Sequence, residues 1–418
     1  MRLISLILLF LLSGTVSAQK VEWYTTTQTS PWVKQKVKPE RATTGAEIVL
    51  DPTQRLQLIT GIGGCFNEMG WDALNALSAE DREAVLQAIF SKDGACFNYC
   101  RLPMGANDFA MSFYSSADVA GDFNLVNFNI DRDRYILIPY IKAARQINPD
   151  LRIWASPWCP PAWMKTNNHY ASAVRPSGEK DVNGLLPCEA IAEFSTGFRM
   201  EEGYLKTYAD YFARFIKAYE AEGLPLECIH VQNEPCSNQV FPSCKWRTED
   251  LTFFLGHYLG PTFERENIKA DIYFGTINTS NPDYVRTALR DEQAAKYIKG
   301  VGFQWDGKKA IPTIHREYPN LNLMQTETEC GNGANSWDYA EYTWNLMKHL
   351  GHFVQTGAYR LETPSDKNML AFVNPDGTIT AIVANVTDNE ETMCVKVREQ
   401  RVTLTLPPHS FHTVSWKL

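Results

Sequence analysis

The chain has no surplus of positive charge: 40 Lys and Arg stand against 48 Asp and Glu, a net charge of −8. No basic stripe is available to neutralise phosphates, which excludes a nucleic-acid partner. Beyond residue 18 no segment reaches the roughly 20 apolar residues that a bilayer crossing takes, so no membrane span is expected in the mature chain. Metal-ligand spacing is also missing. Cys96 and Cys100 have no Cys/His partner set at zinc spacing, and His169, His230, His257 and His315 are scattered, so no metal and no cofactor is expected. The ten cysteines do not form a disulfide framework by their spacing; Cys236 and Cys244, which flank a short loop, are the pair best placed to bridge.

At 418 residues the chain is long enough for one large domain plus a smaller one, and its 44% hydrophobic content is that of a globular protein. Aromatic residues make up 12% and can supply rings that stack on sugars. The N-terminus carries one positive charge at Arg2, then an apolar run, then Val16-Ser-Ala18. This predicts a secretory leader over 1–18 and export, to a secreted or periplasmic location. Asn278-Thr-Ser280 and Asn385-Val-Thr387 match N-glycosylation acceptors.

Cys228-Ile-His-Val-Gln-Asn-Glu-Pro235 reads as a buried strand stopped by a proline, which removes a ladder donor and leaves Glu234 at the strand's C-terminal tip. A second run of the same form, Leu321–Glu327, enters Thr328-Glu-Cys-Gly-Asn-Gly333. In a parallel α/β barrel the C-terminal strand ends hold the active site, and two glutamates there can face one pocket. Glycosidic-bond hydrolysis requires such a carboxyl pair.

Strand and helix signals alternate between the two ends of this region. Leu56–Phe66 reads as a first barrel strand, with glycines that permit close backbone approach, and Ser78 caps the helix after it. Strands are predicted at Phe97–Pro103, Leu151–Pro157, Cys228 onward, Asp271–Ile277, Gly300–Trp305 and Leu321–Glu327, with helices at Tyr135–Ile147, Tyr204–Glu222, Thr248–Glu264 and Asp283–Ile298. A long polar loop covers Lys165–Met200. Such alternation predicts a (β/α)8-type TIM barrel. After Glu327 one helix, about Trp337–Leu350, precedes Gly351–Arg360, and no eighth strand can be located; either the Phe353 region substitutes or a piece is lost. From Ala371 short strands and turns predict an all-β module.

Asn233-Glu-Pro235, Gly63-Gly-Cys-Phe-Asn67, Arg101-Leu-Pro-Met104, Ala155-Ser-Pro-Trp158 and Ala371-Phe-Val-Asn-Pro-Asp-Gly377, in this order, resemble glycoside hydrolase family 30, which includes acid β-glucosidases and β-1,6-glucanases. The resemblance covers roughly Val21–Leu418 and implies a barrel at 53–350 with a side β-sandwich made from 19–52 and 351–418. It implies a retaining β-glycosidase acting on a β-linked glucoside or glucan, with Glu234 as acid/base and Glu327 as nucleophile. Glu329 shares strand parity with Glu327 and is the rival nucleophile; the family places its nucleophile directly after the strand and a Ser or Thr, as Thr326-Glu327 does. Asn233 would hold the 2-hydroxyl, Arg101 would orient the nucleophile, Asp108 would bind sugar hydroxyls, and Trp158 and Trp305 would stack on sugar faces. Gln304 would also contact the substrate, but Gln304 and Asp306 depart from the glucosidase pattern His-Trp-Tyr, which leaves glucosylceramide-like glucosides, β-1,6-glucan and xylosidase, fucosidase or xylanase specificity as substrate alternatives. A carbohydrate-binding homologue impaired by loss of strand 8 is the non-enzymatic alternative.

Overall fold

The computed structural model describes residues 20–41, 48–175, 183–328 and 336–417, the side chains of 336–343 excepted. The expected leader at 1–18 lies outside the described residues, as do Glu329 and Cys330. Two compact units divide the chain, one of residues 61–341 and one that joins 1–60 with 342–418. Residues 53–60 and 342–350, expected in the barrel, therefore fall in the other unit. In chain order the strands are β1 (Lys20–Thr26), β2 (Val33–Gln35), β3 (Glu40–Arg41), β4 (Ile48–Leu50), β5 (Arg55–Leu58), β6 (Tyr99–Pro103), β7 (Arg152–Ser156), β8 (Leu226–His230), β9 (Asp271–Ile277), β10 (Ile298–Gln304) and β11 (Asn322–Glu327). Then follow β12 (Tyr359–Leu361), β13 (Met369–Val373), β14 (Ile379–Asn385), β15 (Glu391–Val397), β16 (Gln400–Leu406) and β17 (Ser410–Lys417).

In the 61–341 unit β6 to β11 form one parallel sheet whose spatial order is their chain order, with helices between successive strands. Parallel strands covered on both faces read as continuous apolar runs, and every residue of β6 is buried. The core joins Leu102, Ile153, Ile229, Phe274 and Phe303 of the sheet to helix side chains. The helix Glu202–Ala221 shows why: Leu205, Tyr208, Phe212, Phe215, Ile216 and Tyr219 form one stripe at helical spacing, and all are buried. Gly223, at φ +77°, ends it in the left-handed conformation that glycine tolerates.

The first barrel strand departs from expectation. Residues 56–58 lie in β5, which pairs with β12 in the other unit. Only the run from Ile62 to Phe66 lies along β6, through Asn98 N–H to Ile62 O (2.8 Å), Arg101 N–H to Gly64 O (2.9 Å) and Phe66 N–H to Arg101 O (2.9 Å). A Cβ on Gly63 would stand 2.1 Å from Tyr99 O, so this approach requires glycine. No eighth barrel strand occurs among the described residues. Phe353 does not supply one, because its ring packs on Tyr24 and Trp32 in the other unit.

That second unit contains a seven-stranded sheet, β2-β1-β17-β14-β13-β12-β5, and a four-stranded sheet, β3-β16-β15-β4. Alternating inward residues of both, among them Trp23, Val383 and Trp416 on one side and Leu50, Val395 and Leu404 on the other, share one core, as in a sandwich. Asn385 is 2% exposed and its amide donates to three backbone carbonyls, those of Asn389, Leu406 and Pro407, so its side chain braces a turn and is closed to modification. All described cysteines are free thiols. The expected Cys236–Cys244 bridge is not formed, since the Cys236 thiol faces Tyr284 while Cys244 is buried beside Gly197. No described helix is long and apolar enough to cross a membrane.

Two histidines are buried in this sandwich unit. His349 meets Thr413 Oγ1 at 2.8 Å and Thr26 Oγ1 at 2.7 Å, while His412 meets Thr25 Oγ1 at 3.0 Å and Ser410 Oγ at 2.7 Å. Burial pushes their pKa values down, to about 3 and about 4. The unfolded chain, with histidines near 6.5, binds protons first as pH falls, so this stability is complete above about pH 6.5 and is lost progressively toward pH 3 to 4. The melting temperature is therefore expected to hold above pH 7 and to fall by at least about 5 °C between pH 7 and pH 4. Calorimetry of the wild type and of His349→Gln checks this: the variant should show a flatter pH dependence, and equal slopes would contradict the account.

Candidate active site

Each of the six sheet strands delivers one polar group to the same place, from its last three residues or from just beyond its C-terminal end. Arg101 comes from β6, Ser156 from β7, Asn233 from beyond β8, Thr276 from β9, Gln304 from β10 and Glu327 from β11. Parallel register puts these tips on one edge of the sheet, the position where barrel sites form.

Arg101 is 2% exposed and connects them. Its Nη2 donates to Asn233 Oδ1 (2.6 Å) and Ser156 Oγ (2.7 Å), its Nε also donates to Ser156 Oγ (3.0 Å), and its Nη1 meets Glu327 Oε2 at 3.5 Å. The guanidinium lies over two indole rings, 3.9 Å from the centroid of Trp158 and 5.0 Å from that of Trp154. Asn233 Oδ1 also accepts from Thr276 Oγ1 (3.1 Å) and Gln304 Nε2 (3.2 Å). Three donors converging on one oxygen fix the amide's orientation and leave its NH2 as the group it can offer a ligand. Behind it, Thr326 Oγ1 lies 3.1 Å from Gln304 Oε1.

Glu234 has φ +45°, a left-handed conformation that costs a non-glycine residue energy and is found at sites where the surroundings over-determine it. Its N–H donates to Thr276 Oγ1 (3.3 Å) and its Oε2 accepts from Gln239 Nε2 (3.1 Å). Burial, then the nearby charge of Glu327, raises its pKa above the ordinary carboxylate value, against the opposing donation from Gln239 and Gln304. Glu327 is about one-third exposed at its side chain and ion-paired with Arg101. Asp108 is open to solvent yet ringed by protein, and its carboxyl is raised, by burial first and by Glu327 second. No group of His, Cys, Asp or Glu that could hold a metal occurs among the described residues.

The structure brings Glu234, Glu327, Arg101, Asn233 and Asp108 together. It corrects two other expectations. Gln304 has no exposed surface, so it braces Asn233 instead of touching a ligand. Trp158 is 4% exposed with its face against Arg101, which leaves Trp305, 37% exposed and at φ +49°, as the accessible ring. Glu329, the rival nucleophile, lies outside the described residues. Ser156, Thr276 and Gln239 were missed; a polar residue ending an apolar strand signals the first two, whereas Gln239 carries no local signal.

Two strand-tip carboxyls facing one cleft, one with its pKa raised by burial and one ion-paired with Arg101, fit the hydrolysis of glycosidic bonds. The chain belongs to glycosyl hydrolase family 30, whose TIM-barrel domain profile matches residues 59–185 and 189–386. It is 24% identical to the mouse lysosomal acid glucosylceramidase over 91% of this chain and 85% of that one. It is 26% identical to an endo-1,6-β-D-glucanase of Neurospora crassa over 69% of this chain and 57% of that one. Among solved structures, SrfJ of Salmonella typhimurium superposes with a TM-score of 0.80 at 23% identity, covering 95% of this chain and 99% of that one. An endo-β1,6-glucanase superposes at 0.76 and 21%, covering 95% and 100%. These two show the fold.

Arg101→Met would remove the charge while keeping most of the bulk, and would leave the buried Ser156 hydroxyl without its guanidinium donor and Asn233 Oδ1 with two of its three donors. A stability loss of about 3 kcal/mol is expected. Denaturant unfolding measures it; a change under about 0.5 kcal/mol would refute the connecting role.

Proposed function

We propose that this protein is an exported retaining β-glycosidase that cleaves β-glucosidic bonds by double displacement. Glu327 attacks the anomeric carbon while Glu234 gives its proton to the departing oxygen, forming a glycosyl ester on Glu327. Water, deprotonated by Glu234, then displaces the ester, and the configuration is retained. The observation that carries the reading is the contrast within the pair: Glu234 is buried, strained and raised in pKa, and Glu327 meets Arg101 at 3.5 Å. The Asn233 amide, held through its oxygen alone, supports donation of its NH2 to the 2-hydroxyl, and the exposure of Trp305 supports its stacking on the sugar. Export is supported by the leader-like run over 1–18.

The relatives divide between glucosylceramidases and endo-1,6-β-glucanases, and both kinds of substrate carry a β-linked glucose. A binding protein without turnover is the second reading, favoured by the lack of an eighth strand among the described residues.

Wild-type enzyme should release β-glucose first from an aryl β-glucoside, as read by proton NMR. Glu234→Gln should keep most of the ester-forming rate on substrates with good leaving groups, read as a burst of released aryl group, while the ester then hydrolyses slowly for want of its base. Glu327→Gln should show no burst and lose at least about 10³-fold on all of them. Equal residual rates in the two variants would overturn the roles, and an inactive wild type that still binds glucosides would favour the second reading. Activity requires protonated Glu234, so rates fall on the alkaline side as it ionises. Gln239 stabilises the ionised form; Gln239→Ala should therefore move the alkaline limb of kcat/KM to higher pH, and a shift to lower pH would contradict this.

A further inference from the structure

We infer that the ion pair of Glu68 and Arg132 is a positioning device that holds the loop bearing Asp108 in the active site. The inference rests on the glycosidase reading above, in which Asp108 meets sugar hydroxyls. Asp108 lies close enough to Glu327 for their charges to repel. Among the described residues, however, its carboxyl receives a hydrogen bond only from its own N–H. No neighbouring side chain donates to it, so its place beside Glu327 is set by the backbone of residues 105–114.

That backbone follows β6 and closes on itself, with Gly105 turning at φ +82° and Ala106 N–H donating to Tyr114 O (3.0 Å). Between its ends apolar burial contributes little, since Phe109 and Met111 are each 53% exposed and Phe113 is 40% exposed. Polar contacts hold it instead. Asn107 Oδ1 accepts from Phe109 N–H (2.9 Å) within the loop. Two further bonds tie it to the helix Glu68–Asn75: Met69 N–H donates to Phe109 O (3.1 Å), and Met111 N–H donates to Glu68 Oε2 (2.8 Å). The first of these is one residue from Asp108.

Arg132 turns Glu68 into a clamp. Its Nε and Nη2 donate to the two Glu68 oxygens, both at 2.7 Å, while its Nη1 donates to Ser112 Oγ (2.8 Å) and its Nη2 also to Ser112 O (3.4 Å). One planar fork thus grips the helix and the loop together. The clamp is itself anchored in the core. The guanidinium lies 4.0 Å from the centroid of the Tyr114 ring, Tyr114 OH donates to Asp133 Oδ1 (2.9 Å), and the buried Asp133 also accepts from Tyr219 OH (2.7 Å). Glu68 is buried and opens its helix, where the dipole favours a negative charge. A buried carboxylate held this way loses its geometry when its charge or its partner is removed.

The test is a double-mutant cycle in the full-length enzyme, Glu68→Gln against Asp108→Asn. Its two readouts are kcat/KM on an aryl β-glucoside and the calorimetric affinity for 4-nitrophenyl β-thioglucoside, which resists hydrolysis. Glutamine keeps an acceptor for Met111 N–H and removes the charge that Arg132 grips. Glu68→Gln alone should lower both quantities on the order of 10-fold, and in the Asp108→Asn background by less than about 2-fold further. Losses of equal size in the two backgrounds, or no loss in the single variant, would overturn the inference, because a role in stability alone does not depend on Asp108. Should Glu68→Gln fail to fold, Arg132→Lys decides by the same comparison, since it keeps the charge and lacks the fork that reaches Ser112. If the wild type binds the thioglucoside without cleaving glucosides and the coupling holds, the hydrolase reading fails and the positioning role stands. An active wild type without coupling sinks the positioning role alone, and a wild type that neither binds nor cleaves a glucoside removes both.

Discussion

The site depends on one buried guanidinium. Arg101 sits where the six strand tips converge, and its planar fork lets it donate to Ser156 and Asn233 while facing Glu327. A buried charge is tolerable only when fully partnered, and here the partners come from three other strands or the turns that follow them. The two indoles beneath it, Trp154 and Trp158, exclude water and hold the plane. Asn233 is thereby locked through its oxygen, and through Asn233 the orientation of the Glu234 corner is set. An arginine that looks like a simple partner for Glu327 thus braces both carboxyl-bearing strand ends.

This arrangement bears on the short barrel. β6 is buried along its whole length, whereas β11 is exposed or half-buried at every position, as an edge strand is. Among the described residues, every side chain that hydrogen-bonds to Arg101 or Asn233 comes from β6 to β11 or the turns directly after them, and the Ile62–Phe66 run adds backbone bonds to Arg101. The connected site is therefore complete within six strands and the Ile62–Phe66 run, and it draws nothing from an eighth. What an eighth strand would add is a further wall to the cleft, which concerns the ligand and not the carboxyl pair.

Much of this was legible in the sequence, for identifiable reasons. A proline ending a short β-branched run placed Glu234, and Thr326-Glu327 at the end of an apolar run placed its counterpart. Period-two alternation, however, gives parity and not depth. It could say that Gln304 and Trp158 end strands near the site, but not that both are buried behind it. The glycines at 61–64 marked close approach correctly, yet the break between β5 and Ile62 was hidden, because both halves are extended and only pairing partners tell them apart. Gln239 was invisible, since a five-residue loop decides where its amide returns. The Cys236–Cys244 bridge failed because nearness in sequence says nothing of which way two thiols face.

The most direct test of the central claim, that Glu327 is the nucleophile ion-paired to Arg101, is to trap the glycosyl ester. The enzyme would be treated with 2-deoxy-2-fluoro-β-glucosyl fluoride, digested, and the modified peptide sequenced by mass spectrometry. The account predicts one adduct, on Glu327, formed by the wild type and absent from Glu327→Gln. An adduct on Glu329 or Glu234, or none on an enzyme that hydrolyses β-glucosides, would contradict it.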